Sequence, residues 1–400
     1  MAKVTSFRLI VITAGIVVLG GCVSPRFEPR SRATRDLVEP GMPRPAQPAE
    51  EGGRWTISDA PETHPSTEAL ADAMDRPFVI ADRAPGVNVF GEFDGAPQQP
   101  KATAGGRAGY QQHTWLDEGF DADVAVDPTG EWLVFASTRH SRRSNLYLQR
   151  TDGMAVTKLT SDPADDAFPV FSPRGDRVAF CSNRNGNWDI YLMDPDGKNV
   201  RAVTSGPAQE LHPTFSPDGR YLAYCSSGRS GQWELWVADL SGGERTMIGY
   251  GLFPSWSPRA DKDIIAFQRA RERGGRWFSI WTLEIVDGEP VNITEVAMSP
   301  NAALVAPAWA PDGMRLAFAT VVEPDAPGLP AQHDIWTIHA DGTNRARLTD
   351  ARAQHATPFW AADGRVYFIS NRGGKDAIWS TRADGPNQST AAIDAGPAGR

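Results

Sequence analysis

Phe171-Ser172-Pro173-Arg174-Gly175, followed by Val178-Ala179-Phe180, Asp189-Ile190-Tyr191-Leu192, Asp196-Gly197 and Ala202-Val203-Thr204, is the stretch whose reading decides the fold. Its neighbour reads Phe215-Ser216-Pro217-Asp218-Gly219, Leu222-Ala223-Tyr224, Leu235-Trp236-Val237, and six such copies lie between Val126 and Gly385. The aromatic residue of the third apolar run recurs at Tyr147, Tyr191, Trp236, Trp281, Trp336 and Trp379, at spacings of 44, 45, 45, 55 and 43 residues. A near-constant period with one insertion is the mark of a repeat architecture.

Each copy reads as four strands. In Pro173-Arg174-Gly175, Pro217-Asp218-Gly219 and Pro311-Asp312-Gly313, proline presets φ and glycine accepts the positive φ that closes the first turn. Asp152-Gly153, Asp196-Gly197, Asp287-Gly288 and Asp341-Gly342 sit between apolar runs, where Asp-Gly signals a hairpin. Six such units predict an all-β, six-bladed β-propeller of four-stranded antiparallel blades over residues 110–386. The last copy runs into Gly385-Pro386 without a fourth strand, while Gln111 to Leu116 stands where one would precede the first copy. That N-terminal strand is expected to close the sixth blade.

The other segments differ in composition. Residues 1–21 carry Lys3 and Arg8, an apolar run from Leu9 to Leu19, then Leu19-Gly20-Gly21-Cys22. The run is shorter than the roughly 20 residues of a spanning helix, so it reads as an export signal. The tetrapeptide resembles a bacterial lipobox, which implies lipid on Cys22 and a membrane anchor; acyl chains add about 0.8 kcal/mol per buried methylene. Val23 points to the outer membrane, facing the periplasm. Residues 22–109 are rich in Pro, Ala, Glu, Arg and Gly and read as a disordered tether; a short helix over Ser66–Asp75 and a strand over Val87–Phe90 are the exceptions. Residues 387–400 read as a disordered tail. Export makes disulfides permissible, yet Cys181 and Cys225 occupy equivalent places on neighbouring blades. That geometry sets them about 10 Å apart, against under about 7 Å for a disulfide, and predicts two buried free thiols.

The Phe-Ser-Pro-Asp-Gly phrase, the Ser-Asn-Arg turns at Ser182-Asn183-Arg184 and Ser370-Asn371-Arg372, and the strands at Asp189, Asp334 and Ala377-Ile378-Trp379 resemble the TolB-type propeller repeat. The resemblance implies a periplasmic protein that binds other envelope proteins. TolB itself carries an α/β domain before its propeller and no lipid; here a proline-rich stretch and Cys22 stand in that place.

The residue three before the first-strand proline, or its equivalent, is Asp121, Asp166, Glu210, Gly251, Leu304 and His355 in the six copies. Asp121, Asp166, Glu210 and His355 then come from four consecutive blades at one mouth of the channel, beside Asp123, Asp165, His212 and Gln354. An oxygen-rich rim of this kind suits Ca²⁺ or a basic ligand. The competing expectation is that these carboxylates cap turns or bind channel water. On the same face lie two basic loops, Arg139-His140-Ser141-Arg142-Arg143 and Arg269, Arg271, Arg273 and Arg276, with the insertion Pro324 to Pro330 as a third loop. Arg142, Arg143, Arg271 and Arg273 are the candidates for a partner surface, or else charged hairpins in solvent. Most of Trp256, Trp309, Trp360, Trp236, Trp281, Trp336 and Trp379 read as fillers between blades rather than a sugar-stacking surface, and Arg184 with Asp189 as a pair across a hairpin.

A net charge of −9 argues against nucleic acid. Neither Gly-x-Ser-x-Gly nor His-Glu-x-x-His occurs. The expectation is a non-catalytic, monomeric binding scaffold for an envelope protein or a peptidoglycan-associated partner. Its alternative is a metal-dependent glycan-active enzyme, lyase or hydrolase, built on the acidic rim.

Overall fold

The computed structural model describes residues 109–228, 231–270, 278–322, 332–350 and 353–383. Cys22, the leader, the tether, Ser66–Asp75, Val87–Phe90, Arg271, Arg273, Arg276, Pro324 to Pro330 and the tail lie outside them. Among the described residues, 24 strands make six four-stranded antiparallel sheets. Within each complete blade the strands pair in sequence order. The innermost strands are Asp121–Val126, Asp166–Phe171, Glu210–Phe215, Leu252–Trp256, Ala303–Trp309 and His355–Trp360. Each neighbours the next, and the sixth neighbours the first, so the sheets form a closed ring.

The turns form for the reasons the repeat suggests. Asp218 accepts the Ser216 hydroxyl at 2.6 Å and the Arg220 N–H at 2.9 Å. In the first blade Asp127 stands in the serine place and accepts the N–H groups of Glu131 and Trp132, both at 2.8 Å. Gly313 has φ +63°, and a Cβ there would lie 2.3 Å from Arg259 Cγ; only glycine fits both demands.

The core lies between blades. Second-strand aromatics Phe135, Phe180, Tyr224, Phe267, Phe318 and Phe368 are fully buried, and Trp256, Trp309 and Trp360 nearly so. Trp309 Nε1 donates to the Ser255 carbonyl of the preceding blade at 3.0 Å. These rings fill the gap that opens as sheets diverge from the axis, while Trp236, Trp281, Trp336 and Trp379 pack against the core half-buried. Cys181 and Cys225 are buried and free.

Residues Gln111–Gln112 form the outermost strand of the sixth sheet, with Gln111 opposite Ser380 and Gln112 opposite Trp379. His113 N–H donates to Ile378 O and Ile378 N–H to Thr114 Oγ1, both at 2.9 Å. The same pair of bonds joins Leu159 and Thr160 to Leu146, and Val203 and Thr204 to Ile190. An upstream segment thus reproduces the fourth strand that the sixth copy lacks.

Candidate functional site

The chain entering the first four inner strands is tied to the blade before it. Asp121 N–H donates to Asp376 O at 3.0 Å, Asp166 N–H to Ser144 O at 2.9 Å, Glu210 N–H to Trp188 O at 2.7 Å and Gly251 N–H to Trp233 O at 3.0 Å. This contact turns the side chains of the first three into the seam between blades. Asp121, Asp166 and His355 are fully buried and Glu210 is nearly so. They do not open onto a solvent-filled mouth.

Each carboxylate is held there. Asp121 accepts Arg139 Nη2 on both oxygens, at 2.9 and 3.0 Å. The hydroxyls of Ser137 and Thr114 also bond it, the second from the strand that closes the ring. Asp166 meets Arg184 at 3.3 Å, with Ser182 and Thr160 beside it. Arg245 approaches Glu210 at 3.8 Å, and Thr204 bonds the carboxylate. Burial raises all three pKa values, and the arginines and hydroxyls pull them part of the way back. The fourth-strand threonine of one blade therefore serves the first-strand carboxylate of the next. Arg139 lies over Phe135 and Tyr147 at 5.0 and 5.4 Å, and Arg184 over Tyr191 at 4.6 Å, so the cation is fixed by stacking too. The expected pair of Arg184 with Asp189 is corrected: Arg184 reaches Asp162 at 3.2 Å and Asp166. The turn carries its arginine back toward the inner strand, not across its own hairpin.

His355 donates from Nε2 to Asp350 O at 3.1 Å, and lies parallel to Tyr110 at 6.4 Å. Burial lowers its pKa to about 4. Among the described residues, no three His, Cys, Asp or Glu side chains are grouped to hold one metal ion. Gly251 occupies the equivalent place in the fourth blade because a Cβ there would meet Phe267 at 2.5 Å.

Of the basic loop candidates, Arg143 reaches Asp165 at 3.1 Å while half exposed, and Arg142 is exposed. Arg269 stacks on Trp281 at 5.4 Å.

A second ring follows on the same inner strands, of which the repeat pattern singles out Asp123 and His212 alone. Two residues after Asp121, Asp166, Glu210, Gly251, Leu304 and His355, the residues Asp123, Phe168, His212, Phe253, Ala306 and Thr357 all take left-handed φ, between 44° and 56°. Each stands at a break in register, such as that between Leu211 and Thr214. His212 packs its ring against Phe168 at 4.1 Å and Phe253 at 3.6 Å. A bulge frees backbone N–H groups, and the preceding blade answers them: Cys181 bonds the N–H of His212, Cys225 that of Phe253, and Gln268 Oε1 that of Ala306 at 2.8 Å. The free cysteines are thus acceptors in a buried polar ladder, with thiol pKa values pushed up by burial, that of Cys225 to about 12. The Cys181, Cys225 and Gln268 positions, each next after the second-strand aromatic, carried the signal in the sequence.

With this geometry in view, comparison with known proteins places the chain. Residues 189–394 match the model of the Tricorn protease N-terminal beta propeller domain. The chain belongs to that propeller family. Residues 127–212 also match the dipeptidyl peptidase IV N-terminal region. Dipeptidyl-peptidase 5 of Porphyromonas gingivalis is 38% identical over 68 residues, 17% of this chain and 10% of that protein. The match therefore spans about a tenth of that relative. A putative TolB from Agrobacterium tumefaciens has 21% identity and a TM-score of 0.51, covering 67% of this chain and 91% of that one. TolB from Acinetobacter baumannii has 17% identity and a TM-score of 0.45, covering 67% and 64%. The TolB-type propeller read from the repeat is the family architecture seen here.

Proposed function

We propose that this chain is an envelope-anchored binding scaffold, held by lipid on Cys22 at the outer membrane and facing the periplasm as a monomer. Its propeller presents a loop surface to an envelope protein or a peptidoglycan-associated partner. The observation that carries this reading is the occupation of Asp121, Asp166 and Glu210 by arginines and hydroxyls of the blade seams. Chemistry at those carboxylates, or Ca²⁺ on them, would have to compete with cations already in place, and would loosen the ring in doing so. Among the described residues, what remains for recognition on that face is the hairpin bearing Arg142 and Arg143, on a rigid support.

The test is affinity capture of the full lipidated protein from cross-linked envelopes, with and without CaCl₂, beside an Arg142→Ala/Arg143→Ala variant of unchanged melting temperature. Loss of a specific partner in the variant supports the scaffold. An unchanged partner list removes the hairpin, and release of soluble saccharide from envelope glycans by the pure protein would replace the scaffold with the glycan-active alternative.

A further inference from the structure

The inner ring of left-handed residues holds a carboxylate unlike the others. Asp121, Asp166 and Glu210 each face an arginine. Asp123 does not: its one bond is from the Phe168 N–H, at 3.4 Å, and no cation is among the groups that act on its ionisation. It is nonetheless nine-tenths buried, and burial pushes its pKa up to about 7. A buried carboxylate without a cation is expensive to keep, and nothing in the seam geometry requires one here, since Thr357 or Ala306 fills the same place in other blades.

Two further side chains on this ring have polar atoms that are buried and unpartnered. His212 Nδ1 lies 3.4 Å from Cys225 Sγ. The Cys225 S–H donates to Leu211 O at 3.3 Å, so the imidazole N–H points at sulfur and Nε2 is left as a bare acceptor with no partner. Thr357 Oγ1, on the blade next to Asp123, is also without a partner. Gln268 spends Oε1 on the Ala306 N–H, leaving Nε2 as a donor facing nothing. In ring order Phe168 stands between Asp123 and His212, and Phe253 beyond His212; both rings pack against that of His212, at 4.1 and 3.6 Å.

We propose that this ring is a binding site for an organic ammonium group, with Asp123 as its counter-ion, Thr357 Oγ1 and His212 Nε2 as acceptors, and Phe168 and Phe253 as the aromatic wall. Buried acceptors, aromatic rings and one unpaired negative charge on the same ring are the groups a cation–π ammonium site uses. Among the ring residues no fixed cation stands ready for an anion. Gln268 Nε2 suits an oxygen carried by the same ligand, such as the carbonyl of a peptide. The inference is independent of the partner reading above, which rests on Arg142 and Arg143 at the outer loop.

The test is ligand-observed saturation-transfer NMR on the full chain, with propylammonium, its neutral analogue propanol, and acetyl-Ala-Lys-Ala-amide. Saturation of propylammonium but not propanol is expected, and Asp123→Asn should weaken it at least tenfold while Asp239→Asn, at the end of the third strand of the third blade, leaves it unchanged. Stronger saturation of the lysine peptide assigns the ammonium to a protein partner; stronger saturation of propylammonium assigns it to a free amine. Asparagine keeps the acceptor for Phe168 and removes the uncompensated charge, so the variant should melt no lower than the parent. Equal saturation of propylammonium and propanol, undiminished binding in Asp123→Asn, or a lower melting temperature in that variant would overturn the proposal.

Discussion

The junction between the sixth and first blades and the junction between the first and second do the same work with different covalent connectivity. In the second, one continuous chain carries Thr160 into Asp166, and Thr160 bonds both the strand behind it and the carboxylate ahead. In the first, Thr114 makes the equivalent bonds, to Ile378 behind and Asp121 ahead, although 264 residues of sequence separate Thr114 from Ile378. What the ordinary junction gains from covalent proximity, the seam must gain from contacts. It has more of them: His113 bridges Thr151 O at 3.0 Å and Ser380 Oγ at 2.7 Å, and Gln149 Nε2 donates to the His113 carbonyl at 2.6 Å. The lesson is that ring closure concentrates in a few residues upstream of the first repeat.

Removing those residues is the largest perturbation. A chain beginning at Gly109 should unfold in one cooperative transition. One beginning at Asp117 loses the closing strand, its seam bonds at about 1 kcal/mol each, and the burial of His113. A fall in melting temperature of at least about 10 °C is expected, read by circular dichroism or calorimetry. Equal midpoints for the two chains would mean that the ring does not depend on its clasp.

The two junctions also differ in how their arginines are shared. Arg139 has Asp121 on both oxygens, whereas Arg184 divides itself between Asp162 and Asp166. Asp121→Ala strands a nearly buried guanidinium and should destabilise by about 3 kcal/mol or more. Asp166→Ala leaves Arg184 with Asp162 and also deletes an unpartnered buried oxygen, so about 1 to 2 kcal/mol is expected. Urea unfolding of both variants checks the order, and the reverse order would break the comparison of the seams.

These differences explain what could be read from the sequence. Blade number, turn positions, the closing strand and the buried thiols follow from periodicity, because every copy repeats the same local physics. The strand positions of Asp121, Asp166, Glu210 and His355 are legible in the repeat, but whether Asp121 faces water or Arg139 depends on contact between blades, and the linear pattern does not encode the angle at which one sheet meets the next. The left-handed ring was hidden for a related reason. Nothing local demands positive φ at Phe168 or His212, both followed by proline; the ring imposes it, and the preceding blade supplies the acceptors that make it tolerable.

Acid sharpens the contrast between the junctions most finely. The place of His113 is held by Leu159, Val203 and Leu348 at other junctions, none of which titrates. Burial lowers the His113 pKa to about 4, and Arg365 adds to the lowering, against an upward pull from Thr151 O and Asp363. The unfolded chain, with a histidine near the ordinary value of about 6.5, takes the proton first. The stability contributed by neutral His113 is therefore complete above about pH 6.5, declines as pH falls toward 4, and is spent below it. Over that window the loss amounts to roughly 3 kcal/mol. His212, His333 and His355 also have lowered values, but they are common to a His113→Gln variant, which keeps a donor and an acceptor at the seam without titrating. The difference in unfolding free energy between parent and variant should change by about that amount from pH 7 to pH 4; parallel curves would show that the clasp titrates no differently from the seams around it.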